Sequence, residues 1–280
     1  MKQVVTSRVP DSGGPSNGSA DMSMFLDFVS DTLALADVEL CKLRRDPAEL
    51  VTRAIQPALW LLIFGQVFAR FRAIPTGGLD YLTFMTPGIL AQSVLFIAIF
   101  YGISVIWERD LGIVQKLLVS PAPRPALVLG KALSAGVRGL AQGAIVYVLA
   151  FLLHIHLDLK VERVLGVIVF IVLGSGLFST FSLAVACLVK TRERFMGIGQ
   201  VLTMPLFFAS NAIYPIDSMP GWVRVLARIN PLTYEVDALR SLMVQGGHTV
   251  FGLAVDGVVL TVVFGVLVLI TARLYPNVVG

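Results

Sequence analysis

The stretch WERDLGIVQKLLVSPAPR (Trp107–Arg124) lies between two apolar runs that are each long enough to cross a membrane. Its start is charged, but two apolar i, i+4 pairs follow, Ile113 with Leu117 and Val114 with Leu118. Three alternate prolines after them cannot continue a helix. The pattern predicts a short amphipathic helix whose apolar stripe binds in a groove of another protein or, alternatively, lies on the bilayer.

The composition places the chain among membrane proteins. Of its 280 residues, 56% are hydrophobic and only 14% are charged, and the mean hydropathy is +0.82. A water-soluble domain of this size needs far more charge on its surface. The formal net charge of +4 bears on the orientation of spans, and we do not expect nucleic acid as a partner.

Six apolar segments approach the roughly 20 residues that a helix needs to cross about 30 Å of hydrocarbon. The sequence therefore predicts an all-α polytopic membrane protein with six transmembrane helices, in a domain that covers residues 47–280. Pro57 and Gln66 interrupt the first span, and the fifth span is short. The predicted spans are Ile55–Phe71, Phe84–Ile106, Ala126–Leu153, Val164–Val189, Met196–Tyr214 and Phe251–Arg273.

The distribution of positive charge predicts the side of the membrane that the termini face. Six spans put both termini on one side, and 14 of the 22 Lys and Arg residues lie on that side. Seven lie on the other side, and Arg138 lies inside a span. Because cytoplasmic loops carry the excess of Lys and Arg, both termini are predicted to be cytoplasmic.

Two segments precede the first span. Residues 1–24 are rich in Ser, Gly and Pro and are predicted to form a disordered tail. Residues 25–46 carry apolar side chains at helical spacing, with charged residues on the opposite side. This pattern predicts an amphipathic helix in the plane of the membrane interface or, alternatively, a soluble helix packed on a partner.

The sequence lacks the motifs of an enzyme and of an ion-driven carrier. It has no G-x-x-x-x-G-K-[ST] motif, so we expect no nucleotide site and no other cofactor or metal in this chain. Asp256 is the only carboxylate within a span, about one turn inside the last one, where water should reach it. Arg138 is the only deep cation. It either extends back to the interface or lines a polar substrate path with Gln142 and Asn211.

The segment Tyr214–Gly246 is too long for a turn and too broken for a span. Two short amphipathic helices meet at Asn230-Pro231, and backbone at membrane depth has to be helical or covered by protein. We predict a helical hairpin over 214–246 that dips into the outer leaflet. The alternative is a hairpin on the lipid headgroups. As an outer gate, the hairpin would use Tyr214, Trp222, Asn230, Pro231 and Tyr234.

The second helix of this hairpin has an apolar set at helical spacing. Glu235 and Asp237 lie in its first turns, where the positive end of the helix dipole favours carboxylates. The predicted apolar set is Leu232, Val236, Leu239 and Met243.

Three stretches of the chain resemble the membrane subunits of ABC type-2 exporters, the daunorubicin-resistance-like permeases. They are the amphipathic entry helix that ends in RRDP, the stretch Trp107–Arg124, and YPIDSMPGWVRVLARINPLTYEVDALR (Tyr214–Arg240). The last of these is the most specific. The resemblance covers almost the whole chain from about residue 25.

The resemblance implies an exporter of the bacterial plasma membrane in which two permease subunits, as a homodimer or a heterodimer, form the path. Two separate ATPase subunits would bind ATP and Mg²⁺ and drive transport. Residues 107–120 would be a coupling helix in a cleft of the ATPase. Asp110 departs mildly from the family pattern, since many relatives carry Glu there. The residues assigned to coupling are Glu108, Arg109, Asp110, Ile113, Val114, Leu117 and Leu118.

The favoured function is export of amphipathic drugs or lipid-like compounds by a subunit that does not itself hydrolyse ATP. Within the family, the alternative is export of a polysaccharide or lipid-linked glycan, which needs a line of aromatic and polar side chains that these aliphatic spans do not offer. From another class, the alternative is a proton-driven carrier or a membrane scaffold. A carrier would show internal repeats and buried carboxylates, and the sequence indicates neither.

Single cysteines in two connectors test the predicted topology. Because Lys116 belongs to the positively charged side, Lys116→Cys should react with a membrane-impermeant thiol reagent only from the cytoplasm. Lys160→Cys should react only from outside. Labelling of both positions from the same side, in intact cells and in inverted vesicles, would contradict the six-span arrangement.

Overall fold

A computed structural model describes residues 47–71, 76–111, 124–189 and 191–274. Three predictions fall outside the described residues. They concern the tail (1–24), the entry helix (25–46) and most of the coupling helix.

The described part of the chain is helical, as predicted, apart from short turns and one isolated bridge between Leu157 and Val244. The elements are α1 (Pro47–Leu59), a π-helical turn (Trp60–Gly65), α2 (Gln66–Phe71), α3 (Tyr81–Asp110), α4 (Arg124–Leu152), α5 (Val161–Leu188), α6 (Arg192–Phe208), a 3₁₀ turn (Ile216–Ser218), α7 (Gly221–Ile229), α8 (Pro231–Met243) and α9 (Leu253–Leu274).

Four of the described helices are long and apolar enough to cross a membrane. They are α3, the Leu127–Leu152 part of α4, α5 and α9. The first predicted span corresponds to a shorter apolar run, Ala54–Arg70, which contains the π-helical turn. This turn follows Pro57, whose missing N–H removes one bond from the regular helix.

The fifth predicted span ends earlier than predicted, at Phe208 rather than at Tyr214. The Ser210 hydroxyl donates to the Phe207 carbonyl at 2.7 Å and accepts from the Ala212 N–H at 3.3 Å. Side-chain bonds of this kind replace helical backbone bonds, so the chain turns after Phe208. Apolar periodicity did not show this boundary because the turn is itself buried.

The core lies around α5, which contacts α3, α4, α8 and α9. The outward faces are also apolar. Val258, Val262 and Leu269 on α9 and Phe151 on α4 are all more than half exposed. A continuous apolar surface on long helices is what a hydrocarbon environment requires. The largest fully buried side chains are Phe178, Phe195, Phe207, Leu61, Met85, Ile89, Leu90, Leu95, Ile106, Leu177 and Leu232.

The bundle has two ends, which we name by what lies there. The Glu108 end contains the end of α3, the start of α4, the end of α5 and the start of α6. The hairpin end contains the starts of α3, α5 and α9, together with α7 and α8. Contacts at each end bring distant parts of the chain together, with Glu108 on Lys131 at one end and Asn230 on the carbonyl of Leu206 at the other.

Glycine allows close helix packing at Gly88 in α3. A Cβ at this position would overlap the backbone of Ala212, with its Cα at 2.7 Å and its carbonyl carbon at 2.8 Å. Backbone atoms cannot move aside as the end of a flexible side chain can. The start of α3 and the turn after α6 therefore depend on a residue without a side chain at this point.

Gly88→Ala should lower the melting temperature of the purified protein, because overpacking a buried site costs about 1–3 kcal/mol. Gly265→Ala is the matched control. Gly265 also lies in a long helix, but an added Cβ there meets no atom within 4 Å. The control should keep or slightly raise stability, since Ala favours a helix over Gly. Equal melting temperatures for the two variants would contradict the packing at Gly88.

Candidate functional site

The charged residues at the end of α3 bind two neighbouring helices. Glu108 Oε2 accepts from Lys131 Nζ of α4 at 2.5 Å. Asp110 Oδ2 accepts from Arg192 Nη2 of α6 at 2.7 Å, and the Arg192 guanidinium lies 3.6 Å from the centre of the Trp107 ring. We call these contacts the Glu108 joint. They fix the end of α3 to α4 and to the start of α6.

Arg109 adds a contact with the end of α5. Its Nη1 donates to the Val189 carbonyl at 3.4 Å, and its Nη2 lies 3.3 Å from Asp110 Oδ1. The three charged residues predicted to start the coupling helix therefore all contact the bundle. The other predicted coupling residues lie outside the described residues. They are Ile113, Val114, Leu117 and Leu118.

Two of the three predicted path residues lie one turn apart on α4. The Arg138 guanidinium covers the Tyr101 ring of α3 at 4.6 Å, and the Tyr101 hydroxyl donates to Ser134 Oγ at 3.2 Å. Gln142 is buried. The third residue, Asn211, lies at the hairpin end, so the structure brings Arg138 and Gln142 together but not Asn211.

A cavity of about 170 Å³ lies between α1, α3 and α4, and Gln142 forms part of its wall. Two aromatic rings face each other in the wall, with 4.9 Å between the centroids of Phe96 and Phe100. The cavity therefore offers amide and hydroxyl groups together with aromatic surface. Its lining residues are Thr52, Gln56, Ser93, Phe96, Ile97, Phe100 and Gln142.

Asn230 joins the two helices of the hairpin and fastens them to α6. Its Oδ1 accepts from the Leu232 N–H at 3.0 Å and so caps α8, which begins at Pro231. Its Nδ2 donates to the carbonyls of Leu206 at 2.6 Å and Ala209 at 3.0 Å. The side chain is buried, so the tip of the hairpin is sheltered by the end of α6.

The remaining predicted gate residues lie in the same region. The Tyr214 hydroxyl donates to the Phe208 carbonyl, and the Tyr234 hydroxyl donates to the Arg228 carbonyl at 2.7 Å. Trp222 makes no such contact in the described part and is 71% exposed. These residues therefore fix backbone turns of the hairpin, with Trp222 on its surface.

The two hairpin helices have opposite surroundings. Every member of the predicted apolar set of α8 is fully buried. By contrast, α7 packs through Val223 and Ala227 and leaves its apolar face uncovered. The exposed residues of that face are Trp222, Val225, Leu226 and Ile229.

The hairpin end encloses three carboxyl groups completely, which the sequence did not predict, and a fourth, Asp158, is nearly buried beside Arg163. Asp256, which was expected to meet water, is fully buried, and so are Glu235 and Asp237. The prediction that the chain has no buried carboxylates, which counted against a proton-driven carrier, is therefore wrong. Helix α8 packs on α3, α5, α7 and α9, so its neighbours cover most of its surface, including the side that carries these carboxyl groups. The sequence held one signal, since Glu235 is three residues after Leu232 and four before Leu239.

Arg240 was counted with the charges of an outer loop, but it too is buried. Its Nε donates to the Phe84 carbonyl at 3.2 Å and its Nη2 to the Asn211 carbonyl at 2.6 Å. Its guanidinium also lies 3.9 Å from the centre of the Phe84 ring. On the same helix, Asp237 Oδ2 accepts two backbone N–H groups ahead of α9, at 2.8 and 3.1 Å.

The profile of the ABC-2 type transporter family matches residues 30–244, a range that includes the Glu108 joint, the cavity and both helices of the hairpin. The chain belongs to the ABC-2 type transporter family. This ABC-2 chain is 30% identical over 218 residues to the putative transport permease ycf38 of Cyanophora paradoxa, which covers 77% of this chain and 74% of that protein. The resemblance to ABC type-2 permeases is thereby confirmed.

Other relatives carry more specific names. The daunorubicin resistance ABC transporter permease protein DrrB1 of Streptomyces coeruleorubidus is 28% identical over 253 residues, 89% of this chain and 87% of that protein. The probable multidrug ABC transporter permease YbhR of Escherichia coli (strain K12) is 27% identical over 169 residues, 60% of this chain and 45% of that protein. As an ABC-2 permease, the chain is a membrane subunit of an ABC transporter, a type of subunit that is generally not an enzyme and works with a partner ATPase.

Asn230→Ala should destabilise the hairpin of this ABC-2 chain. Loss of an N-cap costs about 1 kcal/mol, and two buried carbonyls lose a donor as well. We expect a lower melting temperature than for the wild type. Ser218→Ala, which changes an exposed residue of the same hairpin, should leave the melting temperature unchanged. If the two variants have the same melting temperature, Asn230 does not hold the hairpin on α6.

Proposed function

We propose that the chain and a second permease subunit, identical or similar, form the membrane path of an ATP-driven exporter of amphipathic drugs or lipid-like compounds. Two copies of a separate ATPase subunit would bind ATP and Mg²⁺. Six helical segments, four long and two shorter, would cross the plasma membrane of a bacterial cell. Both termini and the Glu108 end would face the cytoplasm, and the hairpin end would face outside.

The observation that carries this proposal is the Glu108 joint in a chain of the ABC-2 type family. The connector between α3 and α4 leaves α3 just after Glu108, Arg109 and Asp110. Because Glu108 binds Lys131 of α4, a force on this connector acts on both helices at once. The contact of Asp110 with Arg192 adds α6. An ATPase bound to the connector would in this way tilt three helices together.

The small energies of these ion pairs indicate that they orient the helices and do little to stabilise the bundle. Partly exposed ion pairs contribute about 0.2–1 kcal/mol each, so the joint adds little to the stability of the bundle. Such pairs can be broken and re-formed at small cost during a transport cycle. We therefore assign Glu108, Arg109 and Asp110 to the transmission of movement between the ATPase and the spans.

The cavity beside Gln142 supports an amphipathic substrate. Its lining provides amide and hydroxyl groups for hydrogen bonds and the rings of Phe96 and Phe100 for stacking. Sites for drug-sized molecules measure about 300–1,000 Å³, so a cavity of about 170 Å³ would hold one ring or polar group. The rest of the compound would lie against the second subunit. The drug-resistance and multidrug names of DrrB1 and YbhR support the same class of substrate.

The position of α8 supports the hairpin as an outer gate. This helix lies between α3, α5 and α9, inside the bundle and not on its rim. Its backbone and its charged side chains are therefore covered by protein, as backbone at membrane depth must be. We propose that the hairpin enters the membrane from outside and closes that end of the path, with Asn230 at its tip.

Purification of the chain with its ATPase tests this function, with drug-stimulated ATP hydrolysis as the readout. Changing Leu117 and Leu118 together to Asp should abolish co-purification of the ATPase, because two charges would have to be buried in its groove. The chain itself should still insert and fold. The control is the double change of Leu159 and Val161 to Asp at the hairpin end, where both residues are exposed. That variant should keep its ATPase.

Two results would contradict the proposal. The first is normal co-purification and export by the variant with Asp at 117 and 118, which would remove the coupling role. The second is a wild-type complex whose ATP hydrolysis responds to no amphipathic compound, which would remove the proposed class of substrate.

A further inference from the structure

Glu235 occupies a site in the bundle that fits a carboxyl group. It lies on α8, is fully buried and faces Gly174 of α5. A Cβ at Gly174 would overlap the Glu235 carboxyl group, with its Oε2 at 2.6 Å. Because glycine stands there, the carboxyl group lies directly against the backbone of α5.

The site lies opposite the middle of α5. Gly174 is 13 residues after Val161, the start of α5, which is about 20 Å along the helix axis. Leu242, one residue before the end of α8, packs against Gly166, which is closer to the start of α5. The helices α5 and α8 therefore run antiparallel, and Glu235 lies deep between them.

Neither oxygen of Glu235 has a hydrogen-bond partner among the described residues. In this respect it differs from Asp237, whose Oδ2 accepts two backbone N–H groups. The nearest cation on its own helix, Arg240, donates to the carbonyls of Phe84 and Asn211. No described cation lies within ion-pair distance of Glu235.

The elements around α8 supply few other charged or titratable groups. On α3 there is the Tyr81 hydroxyl, which donates to the Ile213 carbonyl. On α5 nothing ionisable lies between Arg163, which binds Asp158, and Cys187. At the hairpin end the others are Arg224 and Arg228 of α7, Tyr234, Asp237 and Arg240 of α8, and Asp256 of α9. The remaining ones lie further toward the Glu108 end, and they are Tyr101, Glu108, Arg109 and Asp110 of α3 and Arg273 of α9.

We infer that Glu235 is a proton-binding site, occupied while α8 is packed on α5. An ionised carboxylate that is buried without a partner is far more costly than a neutral one. A metal ion would need several oxygen ligands, and the described residues contain no group of three His, Cys, Asp or Glu side chains that could hold one. Binding a proton requires only the carboxyl group itself.

The site links protonation to the position of α8. When α8 separates from α5, the Glu235 carboxyl meets water and releases its proton. When α8 packs again, it takes up a proton. High pH therefore favours the separated state, by up to about tenfold per pH unit while the packed form keeps its proton. If the hairpin is the outer gate, a part of the inference that rests on the proposed function, gate opening releases a proton.

Infrared spectroscopy of the purified chain in lipid vesicles tests the proton itself. At neutral pH, the wild type minus the Glu235→Gln variant should show the carbonyl band of a protonated carboxyl group, shifted in heavy water. The Glu162→Gln control, at an exposed residue of the same bundle, should show no such band. Glu235→Asp keeps a carboxyl group and should shift the band. Absence of the band in the wild type would overturn the inference.

Thiol labelling tests the link to α8. Leu232→Cys is placed on α8, at a fully buried position, in a chain whose Cys41 and Cys187 are replaced by Ser. Between about pH 6 and about pH 8, its labelling rate should rise more steeply with Glu235 than in the Glu235→Gln variant, by up to about tenfold per pH unit. The variant corrects for the reagent's own pH dependence. Equal slopes would overturn the link.

These measurements need neither the ATPase nor a substrate. A proton site that is found in a chain without drug-stimulated ATP hydrolysis would leave the inference standing and remove the proposed export. The reverse outcome, export without the infrared band, would remove the inference alone.

Discussion

The guanidinium group of Arg240 joins three parts of the chain that are far apart in sequence. It belongs to α8, and it donates to the carbonyls of Phe84 in α3 and Asn211 in the turn after α6. A buried cation without partners costs several kcal/mol, so α8 can occupy its place only where these carbonyls are presented to it. The turn presents Asn211 because Ser210 ends the helical bonding there. The position of α8, and of everything that α8 buries, thus depends on where α6 ends.

The two ends of the bundle use charge in different ways. At the Glu108 end, the ion pairs are partly exposed, so each contributes little and can be exchanged for water at small cost. At the hairpin end, Arg240, Asp237 and Glu235 are enclosed, and removal of a partner of Arg240 or Asp237 leaves a charged group with neither a partner nor solvent. The first arrangement suits a joint that moves in every cycle. The second suits a part whose separation from the bundle changes the solvation of every enclosed group at once.

The sequence was sufficient for the class of fold and for the apolar face of α8, because both follow from hydrophobic spacing. It was insufficient for Glu235, Asp256 and Arg240. Spacing shows which side chains share a face, but it does not show how many faces of a helix its neighbours cover. For α8 the neighbours cover most of them. For α7 they cover few, so the same amphipathic pattern leaves Trp222 exposed. The sequence predicted one side of the Glu108 joint. Its pattern indicated Glu108 and Asp110, but their partners Lys131 and Arg192 are brought to them only by the packing of α4 and α6.

The free energy of proton binding by one carboxyl group is comparable in size to the individual contributions that hold α8 in the bundle. Separation of α8 from the bundle exposes its four apolar side chains to water, and each favours the packed state by about 1.5–3 kcal/mol. Separation also returns Glu235, Asp237 and Arg240 to water, which favours the open state for each of them. One pH unit changes the free energy of a carboxyl group that binds a proton only in the packed state by about 1.4 kcal/mol. That is close to the contribution of one buried apolar side chain. A change of one pH unit therefore shifts the equilibrium between the packed and separated states of α8 by about as much as the loss of one of its four buried apolar side chains.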